Sequence, residues 1–354
     1  RYGTAACPAT APDEVALILY GNRFMPFLDT VLPLMMDDVD DVALPVVQAQ
    51  IEQYRGMFAE GEDEDPIVAT LAWVDGRLEL LTRSDTGANP GMLEVAGGAE
   101  PLRLARYLPE NTLAMLSLRF NEVFKKQLME SYLPAAQAGG GAGMAMAGQI
   151  IPQLGDELTI GISDAEDGLP GIFLLLGLAQ PEATQGLLQL FVPMEGGVEH
   201  QGYTINTVPV PLPVPLYLSF VDDFAVAGTS EESLKSIIDL RVARGLSGYF
   251  AAMDPPFDIA VPRYQALNVN TQLLGATLTA MVSTFGGDIS DSDLITHRVS
   301  RVLREVRMAN ELEGGWMNSR LTLFFNDLEA IEAELAAEGQ ADGAPGDAGA
   351  APSL

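Results

Sequence analysis

Apolar and polar residues along this chain alternate with two different periods, and the switches between them mark out a recurring unit. The first copy opens with an apolar strand over Glu14 to Tyr20, followed by an apolar helix from about Phe24 to Met36. A second helix over Leu44 to Phe58 carries Val47, Ile51, Tyr54 and Phe58 at helical spacing. The unit closes with Ile67 to Val74 and Arg77 to Thr82, two alternating runs around Asp75-Gly76. Both turn residues tolerate positive φ, so this pattern predicts a hairpin.

The second copy begins with a strand at Thr112 to Leu118, and Asn121 caps a helix over Glu122 to Tyr132. Strands follow at Glu157 to Ser163 and Ile172 to Leu178, then a helix from Pro181 to Phe191 with proline in its first turn. A strand pair over Tyr203 to Val208 and Leu216 to Ala227 folds back at Asp222-Asp223. Thr229 and Glu232 form a capping box for a helix over Glu231 to Leu240. The third copy runs from a strand at Ala266 to Asn270 through helices at Leu273 to Phe285 and Leu294 to Met308. It ends in a hairpin, Asn310 to Leu312 against Arg320 to Phe325, turning near Gly314-Gly315. Strands joined by hairpins between amphipathic helices predict an α+β fold of mostly antiparallel sheets covered by helices. The expected division is an arm over 1–12, α+β units over 13–100, 101–250 and 251–338, and a Gly/Ala/Pro/Asp tail over 339–354.

Composition narrows the partners. The chain has 354 residues, 48% of them hydrophobic, which is ample for a core, and 49 acidic residues against 19 basic give a net charge of −30. Such a surface repels the phosphates of nucleic acids and anionic lipids, so nucleic-acid binding is excluded. Four prolines between Pro209 and Pro215 interrupt the longest uncharged run, which therefore does not read as a membrane-spanning helix. Cys7 is the single cysteine. The stretch Thr4-Ala5-Ala6-Cys7 is similar to the small-residue site that precedes a lipidated cysteine in bacterial lipoproteins, which makes Cys7 a lipidation candidate; an ordinary residue in an N-terminal arm is the alternative.

Three stretches resemble a known family. They are Tyr107-Leu-Pro-Glu-Asn-Thr112, Leu154-Gly-Asp-Glu-Leu158, and the run from Val221-Asp-Asp-Phe224 through Gly228-Thr-Ser-Glu-Glu-Ser-Leu-Lys235. Over Pro101 to Leu240 the chain resembles a family of exported bacterial envelope proteins known only as a domain of unknown function. The resemblance implies export to the periplasm or cell surface, with or without a membrane anchor. It implies no catalytic residue.

Chemistry-bearing residues are sparse. His200, read as lying in a loop, and His297, on a helix, are the only histidines, too few for a paired-histidine zinc site. No phosphate loop, dinucleotide fingerprint or nucleophile elbow occurs in its required context. Acidic clusters at Asp37 to Asp41, Glu60 to Asp65 and Asp288, Asp291 and Asp293 read as solvated loops, with calcium the alternative. Two features are more distinctive. Arg298, Arg301, Arg304 and Arg307 form a basic stripe on the last predicted helix, a docking face for an acidic partner or a set of intramolecular ion pairs. Pro209, Pro211, Pro213 and Pro215 strip donors from one side of an extended segment, which suits a guarded edge strand or a polyproline-like arm reaching a partner.

Together these readings predict a non-enzymatic exported structural or accessory subunit, without catalytic residues, cofactor or metal, packing against other proteins of a cell-envelope assembly. A periplasmic binding module for an apolar or lipidic ligand is the alternative, with methionines such as Met115 and Met129 in its walls. A carboxylate-dependent hydrolase is the third reading.

Overall fold

The computed structural model describes residues 14–19, 67–85, 100–126, 129, 148–164, 170–210, 214–271, 273, 302–313 and 315–327. Thirteen strands join into one sheet in the order β1-β2-β3-β13-β12-β11-β4-β5-β6-β10-β9-β8-β7, with every neighbouring pair antiparallel. The strands are β1 Glu14–Leu19, β2 Ile67–Val74, β3 Arg77–Asp85, β4 Thr112–Arg119, β5 Leu154–Ser163, β6 Gly171–Leu178 and β7 Glu195–His200. They continue with β8 Tyr203–Val208, β9 Leu216–Val221, β10 Phe224–Gly228, β11 Gln265–Asn270, β12 Leu303–Glu313 and β13 Trp316–Phe325. Helices α1 Pro181–Phe191, α2 Glu231–Val242 and α3 Gly248–Ala251 accompany them, with a 3-10 turn η1 at Ala105–Tyr107. The fold is α+β. Each of the three expected units contributes one contiguous block of the sheet, and the block of the third, β11–β13, sits between those of the first and second.

Turn chemistry places most of these strands. Asp75 and Gly76 take φ of 46° and 76° and close the β2–β3 hairpin as the sequence predicts. Asn121 accepts a hydrogen bond from the Phe124 amide at 3.1 Å, which is the expected cap. The cap of α2 lies one residue later than expected: Ser230, not Thr229, accepts from Ser233 N at 3.2 Å. Thr229 Oγ1 is occupied by the Ile172 amide at 3.0 Å, tying the end of β10 to β6.

Three expectations are corrected. The helix expected over Leu294 to Met308 is a strand from Leu303 onward, because β12 is held by β13 along its length and by β11 over Glu305 to Asn310. His200 closes strand β7 instead of lying in a loop. The proline run is not an edge strand: Pro209 and Pro215 flank the connection between β8 and β9, whose pairing stops at Val208↔Leu216, where prolines have no N–H to continue it. Residues 211–213 lie outside the described set, as do Cys7, Arg298, Arg301, His297, the three acidic clusters, the helices expected over 24–36 and 44–58, and all but Leu273 of the helix expected over 273–285.

Edge protection is found at β7 instead. Glu195 to Glu199 are all exposed, and a bulge at Gly196-Gly197, with Gly196 at φ 46°, breaks the register. A bulged edge carrying two carboxylates discourages sheet extension.

The main core lies on one face of β4–β6 and β8–β10. There α2 buries Leu234, Ile237 and Ile238 completely against Phe173, Leu175, Val221, Phe224 and Val226, with η1 closing the end. Small residues let this layer approach the sheet. A Cβ on Gly161 would stand 2.1 Å from the Phe173 ring packed over it. Gly161→Ala is therefore expected to cost about 1–3 kcal/mol by overpacking, read as a lower urea midpoint at unchanged slope.

Candidate functional site

The three stretches that carry the family resemblance are far apart in sequence but meet at one corner of the sheet. The corner forms where the loop before η1 crosses the start of β5, the β9–β10 turn and the last turns of α2. At its centre is Glu157, fully buried, whose carboxylate accepts from the backbone amides of Arg103 at 2.8 Å and Leu104 at 2.7 Å. Burial pushes this carboxyl up from its usual range, while the two amides and the Arg103 and Arg119 guanidiniums oppose the rise.

Two arginines fan out from this point. Arg103 reaches Asp223 at 3.0 Å, Asp156 at 3.3 Å and Glu157 at 3.9 Å. Burial alone would lower its pKa, but Asp156, Asp223 and Glu157 outweigh it and hold it above its ordinary value. Arg241 donates to Asp222 at 3.0 Å and to the Tyr107 hydroxyl at 3.0 Å, and lies 3.7 Å from Asp223. Tyr107 stacks on Phe224, with centroids 5.5 Å apart. Tyr203 donates to Asp222 at 2.8 Å, and burial first, then that contact, raises its pKa. Arg119, almost wholly buried, pairs with Asp156 and with Glu100. Asp222 takes the left-handed φ of 50° that the β9–β10 turn requires.

A depression of about 610 Å³ opens beside this cluster, lined by Gln201, Gly202, Tyr203, Asp222, Arg241, Val242 and Arg244. Its one carboxylate, Asp222, already engages Arg241 and Tyr203, so the arrangement clamps the loop before η1 to α2 and the sheet. The next depression, about 430 Å³, contains His200, whose Nε2 lies 2.8 Å from Asp239, and Lys235, held above its usual pKa by Glu232 and Glu231. Among the described residues no group of three His, Cys, Asp or Glu side chains is placed to hold a metal ion.

Of the four arginines expected on one helix face, Arg304 and Arg307 lie on strand β12 instead. Arg304 occupies the bulge of β12, and the guanidiniums of Arg304 and Arg307 lie 5.6 and 4.5 Å from the Phe324 ring centroid. Arg307 also pairs with Glu305. Sequence reasoning missed Arg103, Arg119, Glu157 and Arg241; the motif Gly155-Asp156-Glu157, charged at the mouth of an apolar strand, was the available signal.

Register reveals a second feature. Residues directly opposite in antiparallel strands share a face. Val15, Leu71, Leu80, Leu321, Met308, Leu267, Leu116, Ile160, Leu174, Ala227, Leu218 and Asn206 are successive partners through every strand except β7, and all but the last are apolar. At about 4.8 Å per strand this row is about 50 Å long. A parallel row runs Trp73, Leu78, Leu323, Val306, Val269, Ala114, Ile162, Ile172, with Trp73 49% and Ile172 52% exposed. Described residues cover this face near β5, β6 and β8–β10, through Phe124, Met129 and Ile150 at one place and Val192, Met194 and Val210 at another. Over β2, β3, β13, β12 and β11 the first row is half-buried, and none of the hydrophobic clusters among the described residues extends over it.

No family model and no curated protein matches the chain. Among solved structures it is similar to crystal form I of TP0453 of Treponema pallidum, at 9% identity and a TM-score of 0.31, over 68% of this chain and 98% of that one. A likeness at that score carries no argument about function. Among the described residues no helix is long and apolar enough to cross a membrane.

The corner cluster yields a test. Glu157→Gln keeps the shape but turns an NH2 toward one of the two amides, at a cost of about 1–3 kcal/mol. Because the folded-state pKa of Glu157 is raised, its contribution is complete at acidic pH and is lost as pH rises through that pKa. The stability gap between wild type and variant should therefore be widest in acid and narrow toward neutrality in urea titrations. A gap that widens with pH contradicts the assignment.

Proposed function

We propose that this chain is a non-enzymatic structural or accessory subunit that packs into a bacterial cell-envelope assembly by the aliphatic face of its sheet. The observation that carries this reading is the apolar row through eleven strands, half-buried over the five strands from β2 to β11 in sheet order. Monomeric proteins rarely leave contiguous apolar patches above a few hundred Å² uncovered, and because no described residue packs over this part of the face, it offers a surface to a partner. The corner cluster supports the same reading, since its arginines and carboxylates are engaged with one another and with backbone amides in holding the fold. Location in the envelope rests on the resemblance of the three motifs alone.

The same face also favours the second reading, an apolar or lipidic ligand held against the sheet, and one experiment separates them. The chain is purified at endogenous level from its native envelope, in parallel with Trp73→Glu/Ile172→Glu. Both sites are about half exposed and Trp73 stacks on Phe325, so the variant should lose about 1–3 kcal/mol and remain folded, which a urea titration checks. Wild type is expected in a complex with other proteins, and the variant free of them. Recovery of wild type as a free monomer, or a variant that co-purifies as before, contradicts the subunit reading. A monomer carrying an apolar small molecule by native mass spectrometry establishes the ligand reading in its place.

A further inference from the structure

Among the described residues, Asp75, Gln201, Asp222 and Arg244 hold a left-handed backbone without being glycine. Aspartate tolerates this conformation, and Asp75 and Asp222 hold it at the first position of two-residue hairpin turns. Gln201 and Arg244 break the pattern. Gln201 occupies the same position in the β7–β8 turn, at φ 52°, where Asn, Asp or Gly suits the geometry. Arg244 stands at φ 50° just past the end of α2. Its amide donates to the Arg241 carbonyl at 3.1 Å, and the Gly245 amide donates to the Leu240 carbonyl at 3.0 Å, the two bonds of a Schellman motif. The left-handed position of that motif ordinarily falls to glycine, and here glycine comes one residue later, at Gly245.

Neither long side chain is accounted for by folding. Both residues are exposed, and neither the Gln201 amide nor the Arg244 guanidinium makes a hydrogen bond or ion pair among the described residues. A cation favours a helix C-terminus, but an exposed one is screened, and Arg241 already fills that role in the last turn of α2. Gln201 and Arg244 line the same depression of about 610 Å³, beside the fixed group formed by Asp222, Arg241 and Tyr203. Unfavourable backbone kept at two points around one hollow, under side chains the fold does not use, points to a use for those side chains.

We propose that this depression binds a small organic carboxylate. The Arg244 guanidinium takes the carboxylate in forked geometry, and the Gln201 amide donates a further hydrogen bond. Val242, 47% exposed, and the Tyr203 ring receive the apolar remainder of the ligand. Charge limits what fits. The corner as a whole is not basic, since Arg103, Arg119 and Arg241 are answered by Asp223, Asp156, Glu100 and Asp222. Arg244 therefore offers a single positive charge close to carboxylates, which matches one carboxylate and disfavours a phosphate dianion. This assignment does not rest on the reading of the aliphatic face.

The test is a titration of the isotope-labelled full chain with butyrate, butyramide and inorganic phosphate at constant ionic strength, read from the amide chemical shifts of Gln201, Gly202 and Arg244. Butyrate is expected to shift these amides saturably, and butyramide and phosphate to leave them in place. Arg244→Lys keeps the charge but loses the fork, and should weaken butyrate binding by about tenfold or more. Arg244→Gly should abolish binding and yet raise the urea midpoint at unchanged slope, because glycine suits the left-handed position. No saturable shift with butyrate, equal affinity in Arg244→Lys, or equal binding of phosphate overturns the proposal. An Arg244→Gly chain less stable than wild type also overturns it, by giving the arginine a role in folding.

Discussion

A residue in a strand commits its neighbour to the opposite face, and in this protein that alternation is kept in step across an entire sheet. From β1 to β8, direct partners stay direct partners, so one choice of side at Leu80 or Leu116 determines the side of every residue in the row. The rest follows from this constraint. One face is aliphatic along its length. The other is apolar only under α2 and η1, and turns polar over β3, β13 and β12, where Arg77 with Glu79 and Arg307 with Glu305 pair on the surface of the sheet. A one-residue slip at β3, β12 or β13 would bring charges onto the aliphatic side, and the bulge of β12 at Arg304 shows how local an accommodated irregularity must be.

The corner around Glu157 fixes where the covering layer sits. A buried carboxylate that takes two consecutive backbone amides holds the approach of the chain into η1, and the arginines on either side tie that loop to the β9–β10 turn and to α2. Net stabilisation from such a cluster is modest, because desolvation offsets much of the attraction. Its effect is on position: Tyr107 is set between Phe224 and Arg241, and α2 is set over the sheet. This explains how three short stretches, distant along the chain, form one structural unit.

Local chemistry was legible and long-range pairing was not. Asp75-Gly76, Asn121 and Pro181 each act within a few residues, and the elements they define were readable to the residue or nearly so. In β12, Arg304 and Arg307 with Val306 and Leu303 fit a helical stripe, and only pairing with β11 and β13 reveals a strand. Strand β7, Glu-Gly-Gly-Val-Glu-His, has too little β propensity to be found without its partner β8. The placement of the third block between the first and second, and hence both long faces, depends on contacts that no window of sequence contains. Of the candidate site, the charged motif at Asp156-Glu157 was visible as a motif, while Arg103, Arg119 and Arg241 became part of it only in space.

The central claim is that the aliphatic side of the sheet is occupied by another molecule, whereas the polar side of β12 and β13 is held by ion pairs within the sheet. Neighbouring positions on β13 test it most directly, because Leu321 and Arg320 share a backbone and point to opposite faces. A photo-crosslinking residue placed at Leu321, in cells producing the protein at native level, should give adducts with other proteins. The same residue at Arg320, on the polar face, should give none. Adducts to other proteins from Arg320 and none from Leu321 would contradict the account.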